Sequence, residues 1–276
     1  MEMLKFIKRK IRSVLSKISE DQRYYRKLKK LVPELASYKE YQIKFIGELA
    51  ERAGLKSIKD YYCLVRNNQE EMEYFKQNLT YNGSHFFRGN DWDFFIENCL
   101  SALKGAEKVR IWCAACSSGQ EVYSTIISLA DYVPLEKIDV LASDYNDEMI
   151  AKCADGSYFN MHLHEVPERY HKYLEKGPKK FVFKKEIREL VKTENINLLG
   201  NEYPKGFDVI LCRNVLKFFS PEVIDECHIK LAGSLNRGGY LFLSHDDDSK
   251  KEEFIKDPES LGLEQLDGRC IYKKIS

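Results

Sequence analysis

The sequence lacks several features that define other classes of protein. No apolar run approaches the roughly eighteen residues that a membrane-spanning helix needs. The first twenty residues alternate basic and apolar positions too finely for the apolar region of a secretory signal. The formal net charge is only +1, so there is no global basic field, and charged partners must be recruited by local patches. We therefore expect a globular protein of the cytoplasm that does not bind nucleic acid.

The eight cysteines form no pattern typical of a metal site or a disulfide framework. Cys113 and Cys116 make one CxxC pair, but the second ligand pair that a structural zinc site needs is missing. A thioredoxin-like role would require the pair at a helix start in a different strand context. Most of the other cysteines lie inside apolar runs, where a reduced thiol behaves as a small hydrophobic side chain. We predict no metal site.

The stretch 109–124, which reads VRIWCAACSSGQEVYS, predicts a strand, a tight turn and a helix. Val109, Ile111 and Trp112 form the short apolar run of a buried strand, residues 114–119 are small, and helical spacing resumes at Glu121. Small side chains allow backbone N–H groups at a helix start to reach a nucleotide-type ligand. The turn is poor in glycine, so an ordinary strand–turn–helix unit remains the alternative.

A second apolar run, 138–142, leads to Asp144. A carboxylate at the tip of the second strand is well placed to accept hydrogen bonds from both hydroxyls of a ribose. The two stretches together favour a ribose-bearing cofactor.

The remaining patterns predict three segments. Residues 1–30 form a basic amphipathic extension, residues 31–90 a helical module, and residues 91–276 an α/β domain. The α/β alternation breaks at about 157–195, where we predict an inserted β-hairpin subdomain. Two strands near the C-terminus, joined at Asp267-Gly268, are predicted to close the sheet as an antiparallel hairpin.

Two interpretations of the N-terminal extension are open. Eleven of residues 1–30 are Lys or Arg, and Leu4, Ile7, Ile11, Val14 and Ile18 fall on one helical stripe. Such a helix suits peripheral contact with an anionic membrane. A helix that packs its stripe on its own domain has the same pattern.

Three motifs now carry a family resemblance. Asn82-Gly-Ser-His-Phe-Phe-Arg88 is similar to the Asn-x-Thr-x-Phe-Phe-Arg signature of the CheR-type chemoreceptor glutamate O-methyltransferases. Ala115-Cys-Ser-Ser-Gly-Gln-Glu-Val-Tyr-Ser124 resembles their Gly-Cys-Ser-Thr-Gly-Glu-Glu-Pro-Tyr-Ser, and Phe207-Asp-Val-Ile-Leu-Cys-Arg-Asn-Val-Leu216 resembles their Phe-Asp-x-Ile-x-Cys-Arg-Asn-Val-Leu. The resemblance runs from about residue 55 to the C-terminus and implies a doubly wound, mostly parallel sheet of the methyltransferase type.

The resemblance also implies a cofactor and its contacts. The cofactor is S-adenosylmethionine, and the product is S-adenosylhomocysteine. Asp144 suits the ribose diol, Asn197 and Leu198 suit the adenine edge, and Glu121 offers negative charge near the methionine ammonium or the sulfonium. The family's cofactor contacts fall on Asn82, Ser84, Arg88, Glu121, Asp144, Asn197, Leu198, Arg213 and Asn214.

The implied reaction is transfer of a methyl group to glutamate side chains of an acidic, helical, chemoreceptor-like protein. A glutamate carboxylate has an unperturbed pKa near 4.3 and is ionised at neutral pH, so no general base is needed. Catalysis then rests on alignment of the reactants. Arg88 is the expected catalytic residue, because its guanidinium can hold a carboxylate with two hydrogen bonds.

Several positions depart from the family pattern. Ala115 replaces the first glycine of the turn, and Phe218 replaces a tyrosine. The segment Phe45-Ile-Gly-Glu-Leu-Ala-Glu-Arg52 lacks the arginine-rich face that meets the receptor in the family. The alternative function is therefore a diverged or inactive S-adenosylmethionine-binding protein that interacts with a different partner.

Overall fold

The chain forms two compact units, Met1–Tyr81 and Asn82–Ser276. The sequence pattern places the boundary near residue 90. In the structure, the turn that contains Phe86 belongs to the second unit because Phe86 is buried against Tyr158 and Phe181 of that unit. No helix in the described part of the chain is long and apolar enough to cross a membrane. The computed structural model describes residues 18, 20–38, 42–79, 83–200, 202–243 and 254–276.

The described part of the first unit is helical, as the sequence predicts. Ser57 accepts a hydrogen bond from the Asp60 N–H, and Asn68 accepts one from the Glu71 N–H, so each side chain caps the helix that follows it. Most of the basic stripe predicted in residues 1–30 lies outside the described residues. Its contact with a membrane stays a prediction, and co-sedimentation with anionic vesicles is the measurement that tests it. The helices are α1 (20–31), α2 (Gln42–Arg52), α3 (Ile58–Asn67) and α4 (Gln69–Gln77).

The second unit is built on a seven-stranded sheet with the order β6-β2-β1-β7-β8-β10-β9. Strands β6, β2, β1, β7 and β8 are parallel, and β10 runs antiparallel to both β8 and β9. The predicted fold class is therefore confirmed. The strands of this unit are β1 (Val109–Ala114), β2 (Ile138–Asp144), β3 (Ser157–Phe159), β4 (Leu174–Lys176), β5 (Lys180–Phe183), β6 (Val191–Asn195), β7 (Phe207–Cys212), β8 (Leu235–Leu243), β9 (Leu263–Gln265) and β10 (Ile271–Lys274).

The helices of this unit include one that is buried along its whole length. Every residue from Gln120 to Leu129 except Glu121 is buried, including the polar Ser124, Thr125 and Ser128, so this helix is covered on all sides and not only on its apolar face. α5 continues as a π-helical turn, Ile96–Leu100, and a short 3₁₀ turn. The helices are α5 (Asp91–Phe95), α6 (Gln120–Leu129), α7 (Asp147–Asp155), α8 (Lys185–Arg188) and α9 (Pro221–Ser234).

The insert contains a small three-stranded antiparallel sheet in the order β3-β5-β4. Its core is aromatic, with Tyr158, Phe181 and Phe183 in mutual contact. The predicted insert extends to residue 195, but Val191–Asn195 pairs in parallel with β2 in the main sheet. The insert therefore ends before β6, because the alternating polar residues of that strand belong to the edge of the main sheet.

Candidate functional site

At one edge of the main sheet, the carboxyl ends of four neighbouring parallel strands, β6, β2, β1 and β7, lie side by side. Ala114 at the end of β1 lies opposite Ser143, and Asp144 at the end of β2 lies opposite Asn195. β1 lies between β2 and β7, so the order of the strands runs outward from β1 in two opposite directions. This is the place where doubly wound sheets bind their ligands. The predicted site residues that follow these strands therefore meet at one edge.

The loop from Ala115 to Gly119 connects β1 to α6 in a compressed conformation. Ala115 (φ 55°), Ser117 (φ 49°) and Gly119 (φ 90°) all have a left-handed backbone. Only glycine adopts it without a steric cost, so Ala115 pays a penalty that the family's glycine avoids. A Cβ at Gly119 would lie 2.6 Å from the Cys153 Sγ of α7. The loop thus lies directly on α7, with its amides close to the ends of the strands.

Asp144 is buried at the centre of this edge, with 8% of its surface exposed. Its carboxylate accepts hydrogen bonds from the Ser117 N–H (2.8 Å) and the Asn146 N–H (2.9 Å). Burial raises the pKa of Asp144, although the backbone hydrogen bonds from Asn146, Ser117 and Tyr145 oppose the shift. A carboxylate offers about four acceptor positions, so it can still receive a ligand hydroxyl. The Ser117 hydroxyl beside it is buried with no hydrogen-bond partner among the described residues, as expected where a polar ligand completes the site.

Arg213 and Glu121 form an ion pair beneath the same edge. The Arg213 side chain is fully buried, while that of Glu121 is 16% exposed. The Arg213 guanidinium lies 4.4 Å from the ring centroid of Phe242 and 5.2 Å from that of Trp92. It also donates a hydrogen bond to the Arg88 carbonyl (2.7 Å). Arg213 therefore links α6, the end of β7 and the turn that carries Arg88.

The turn of residues 83–88 is held by a different element at each of three successive residues. The Phe86 N–H donates to Glu165 of the insert (2.9 Å), and the Phe87 N–H donates to the Ser124 hydroxyl of α6 (3.1 Å). The Arg88 carbonyl accepts from Arg213, as described above. Phe87 has a φ of 47°, a strained value for an aromatic residue. These contacts hold the strained turn, and they fix the backbone of Arg88.

The other predicted site residues lie on the same edge or in this turn. Ser84 is half-buried in the turn, and Asn214 follows β7 with a φ of 58°. The Asn197 side-chain oxygen accepts the Leu199 N–H (2.9 Å), which closes a local turn after β6. The Leu198 carbonyl accepts the Tyr203 hydroxyl (2.7 Å). Asn82 lies outside the described residues.

Three residues of this arrangement were not selected from the sequence. Ser117 donates its N–H to Asp144, Ser124 holds the Phe87 N–H, and Glu165 holds the Phe86 N–H. Ser117 and Ser124 belong to the recognised motif, so the motif itself was a signal. Glu165 lies 79 residues from Phe86 in the sequence, and no sequence pattern points to it.

Two cysteines near the site, Cys113 and Cys116, have thiols whose pKa is raised. All eight cysteines are free. Burial raises the pKa of the Cys113 thiol, and a hydrogen bond with Cys153, together with burial, raises that of Cys116. A raised pKa keeps the thiol protonated, and the thiolate is the reactive form. Within the described ranges, no group of three or more His, Cys, Asp or Glu side chains could hold a metal ion.

Comparison with known proteins gives several curated relatives. The "Chemotaxis protein methyltransferase" of Listeria monocytogenes is 31% identical over 247 residues, which cover 87% of this chain and 91% of the relative. The "Chemotaxis protein methyltransferase 1" of Pseudomonas aeruginosa is 31% identical over 225 residues, covering 76% of this chain and 82% of the relative. The "Chemotaxis protein methyltransferase 1" of Vibrio cholerae is 38% identical over 176 residues, with 60% of this chain and 64% of the relative covered.

The family comparison covers the part of the chain that carries the site. The family model described as "CheR methyltransferase, SAM binding domain" matches residues 82–260, more than half of the 276 residues. The match includes the turn that carries Arg88, the loop before α6 and the ends of β2, β6 and β7. The buried carboxylate of Asp144 and the unpartnered Ser117 hydroxyl suit the polar hydroxyls of a nucleoside. The chain therefore belongs to the CheR methyltransferase family and binds S-adenosylmethionine.

Proposed function

We propose that this protein transfers the methyl group of S-adenosylmethionine to a glutamate side chain of a chemoreceptor-like protein. The names of the Listeria and Pseudomonas relatives, both chemotaxis protein methyltransferases, support a role in chemotaxis. The observation that carries the proposal is the anchored turn of residues 83–88. In this turn the Arg88 carbonyl accepts a hydrogen bond from Arg213, and Arg213 also forms the ion pair with Glu121. The Arg88 backbone is therefore held beside Glu121, at the edge of the sheet where the cofactor is proposed to bind.

The proposed roles follow from the chemistry of each side chain. Asp144 accepts the ribose hydroxyls, and the turn that contains Asn197 and Leu198 borders the adenine. Glu121, which is ion-paired with Arg213, attracts the positive end of the methionine portion. The bound cofactor supplies an electrophilic methyl group on a sulfonium.

The displacement needs no proton transfer. The acceptor carboxylate is already ionised, since a glutamate carboxyl has a pKa near 4.3. An oxygen–carbon bond to the methyl forms as the carbon–sulfur bond breaks in line, and the neutral thioether leaves. Arg88 holds the acceptor carboxylate in the attacking position. The acceptor surface that suits this arginine is acidic, and we propose that it is helical.

Arg88→Ala is expected to reduce methyl transfer by about 10–100-fold at saturating cofactor, because a positioning interaction in the transition state is lost. The measurement is transfer of a tritiated methyl group to receptor-containing membranes from the same cell, with base-labile release to identify a carboxyl ester. Arg237→Ala is the matched control, since this arginine lies at the opposite end of the sheet and donates to the Ile275 carbonyl (3.1 Å). A rate for Arg88→Ala that recovers fully when the cofactor is raised would remove the positioning role.

Asp144→Ala is expected to weaken S-adenosylhomocysteine binding by about 1.5–3 kcal/mol, the value of hydrogen bonds to a charged group. Calorimetry measures it, and Asp139→Ala is the control. Asp139 lies on the same strand at its other end, where it pairs with Lys108 and Lys192. Asp144 also accepts two backbone N–H groups, so the unfolding of each variant is measured beside its affinity. Equal affinity of wild type and Asp144→Ala would exclude Asp144 from the site.

A second candidate function is cofactor binding without methyl transfer, in a protein that interacts with a different partner. Phe218, in the 3₁₀ turn Leu216–Phe218, lacks the hydroxyl of the family's tyrosine. The loss of this hydroxyl favours the second function. The two functions differ in one result. Wild-type protein that binds S-adenosylhomocysteine but gives no base-labile methyl release with receptor-containing membranes supports the second.

A further inference from the structure

Glu165 joins the insert to the turn that carries Arg88. It is the last residue of the 3₁₀ helix Asn160–Glu165, and its side chain is 15% exposed. One carboxylate oxygen accepts the Phe86 N–H at 2.9 Å. Imidazoles approach from two sides, with His162 Nδ1 at 2.9 Å and His85 Nδ1 at 3.4 Å. Glu165 is therefore bound to its own helix and to the turn at the same time.

The charge on Glu165 is stabilised in this position. Burial raises the pKa of the carboxyl, but hydrogen bonds from His162, the Phe86 N–H and His85 outweigh that effect, and the net shift is downward. An ionised acceptor makes a shorter and stronger hydrogen bond to a backbone N–H than a neutral one does. The Phe86 N–H is thus held by a charge-assisted bond from an element far away in the sequence.

Aromatic packing also attaches the turn to the insert. The ring of Phe86 lies 4.9 Å from that of Tyr158 and 5.9 Å from that of Phe183 in the insert. The ring of Phe87 stacks on Tyr170 of the insert at 5.4 Å, with an interplanar angle of 7°. The strained φ of Phe87 needs such support, because an aromatic residue in the left-handed region relaxes when its contacts are removed.

We propose that Glu165 is a positioning residue for methyl transfer: through the Phe86 N–H it fixes the turn, and the turn places Arg88 at the cofactor edge. In this role Glu165 acts through the turn and not by contact with the cofactor or the acceptor. The insert then supports the active site directly. The effect on rate rests on the proposed function, whereas the effect on the turn does not.

The experiment compares Glu165→Ala and Glu165→Gln with Glu175→Ala in the full-length protein. Glu175 is an exposed acid on β4 of the same insert, so its removal changes the charge equally without touching the turn. Amide hydrogen exchange is measured at single residues with S-adenosylhomocysteine bound. In Glu165→Ala, the Phe86 and Phe87 amides are both expected to exchange about tenfold faster, the effect of losing one such hydrogen bond.

The Phe87 amide is the decisive probe, because it donates to Ser124 and not to Glu165. Faster exchange at Phe87 shows that the whole turn has moved. Faster exchange at Phe86 alone overturns the proposal, since Glu165 would then only cap one amide. Glu165→Gln keeps an acceptor oxygen for Phe86, and intermediate exchange is expected. If Glu165→Ala does not fold, the exchange rates of Glu165→Gln are used for the test.

The second readout separates cofactor binding from transfer. In Glu165→Ala, kcat for methyl transfer is expected to fall about tenfold, while S-adenosylhomocysteine affinity changes less than about threefold. Partial recovery in Glu165→Gln supports a positioning role. A loss of affinity as large as the loss of rate contradicts it. If wild type gives no transfer at all, the proposed function fails, and the exchange result still decides the role of Glu165.

Discussion

Arg213→Met is expected to lower the free energy of unfolding of the Asn82–Ser276 unit by about 3–5 kcal/mol, the cost of breaking a buried ion pair by removing one partner. The Arg213 side chain is fully buried, and its guanidinium serves both Glu121 and the Arg88 carbonyl. Removing it leaves the Glu121 carboxylate, which is only 16% exposed, without its counter-charge. Both tryptophans of the chain, Trp92 and Trp112, lie in this unit, so tryptophan fluorescence during urea unfolding reports on it alone.

Two further variants make the Arg213 result specific. Lys256→Met removes the cation of an exposed pair with Asp225 and is expected to cost less than about 1 kcal/mol. The double variant Arg213→Met/Glu121→Met is expected to recover much of the loss, because two apolar side chains replace a buried pair at little net cost. Losses that simply add would show that Arg213 stabilises the unit through packing on Trp92 and Phe242 and not through Glu121.

The positions of the strand-end residues could be predicted from the sequence because they depend on a local rule. Apolar runs mark buried parallel strands, and the residue after each run lies at the carboxyl edge of the sheet. This rule placed Asp144 at the tip of the second strand, whereas Arg213 and Asn214 were identified through the family resemblance. In the structure, Asp144 is the last residue of β2, and Arg213 and Asn214 directly follow β7.

Contacts between distant segments could not be predicted in this way. The Arg213–Glu121 pair joins residues 92 apart, and no pattern in the sequence pairs the two. The role of Glu165 depends on how the insert folds back on the turn, and its neighbours in the chain give no periodic signal. The boundary of the insert was misplaced for a related reason: β6 is an edge strand, and its exposed polar residues resemble those of a surface hairpin.

The loop before α6 provides the second large effect. Gly119→Ala is expected to destabilise the unit through two separate terms. A left-handed φ of 90° costs a residue with a Cβ about 1–3 kcal/mol. The new methyl group would lie 2.6 Å from Cys153 Sγ and 3.0 Å from Cys153 Cα, and overpacking of this kind costs about 1–3 kcal/mol more. Cofactor affinity is expected to fall as well, because the loop must move off α7 and carries the Ser117 amide away from Asp144.

Gly105→Ala separates the two terms, since Gly105 has a φ of 84° but no heavy atom within 4 Å of the added methyl group. It reports the backbone term alone, and its loss of stability in urea unfolding is expected to be the smaller of the two. Adding Cys153→Ala to Gly119→Ala removes the sulfur and is expected to restore part of the packing term, so the double variant is more stable than the sum of the single effects. The contact with Cys153 Cα and the left-handed φ both remain, which makes the recovery incomplete. Equal losses for Gly119→Ala and Gly105→Ala, with no change in affinity for S-adenosylhomocysteine, would show that the loop does not depend on its close approach to α7.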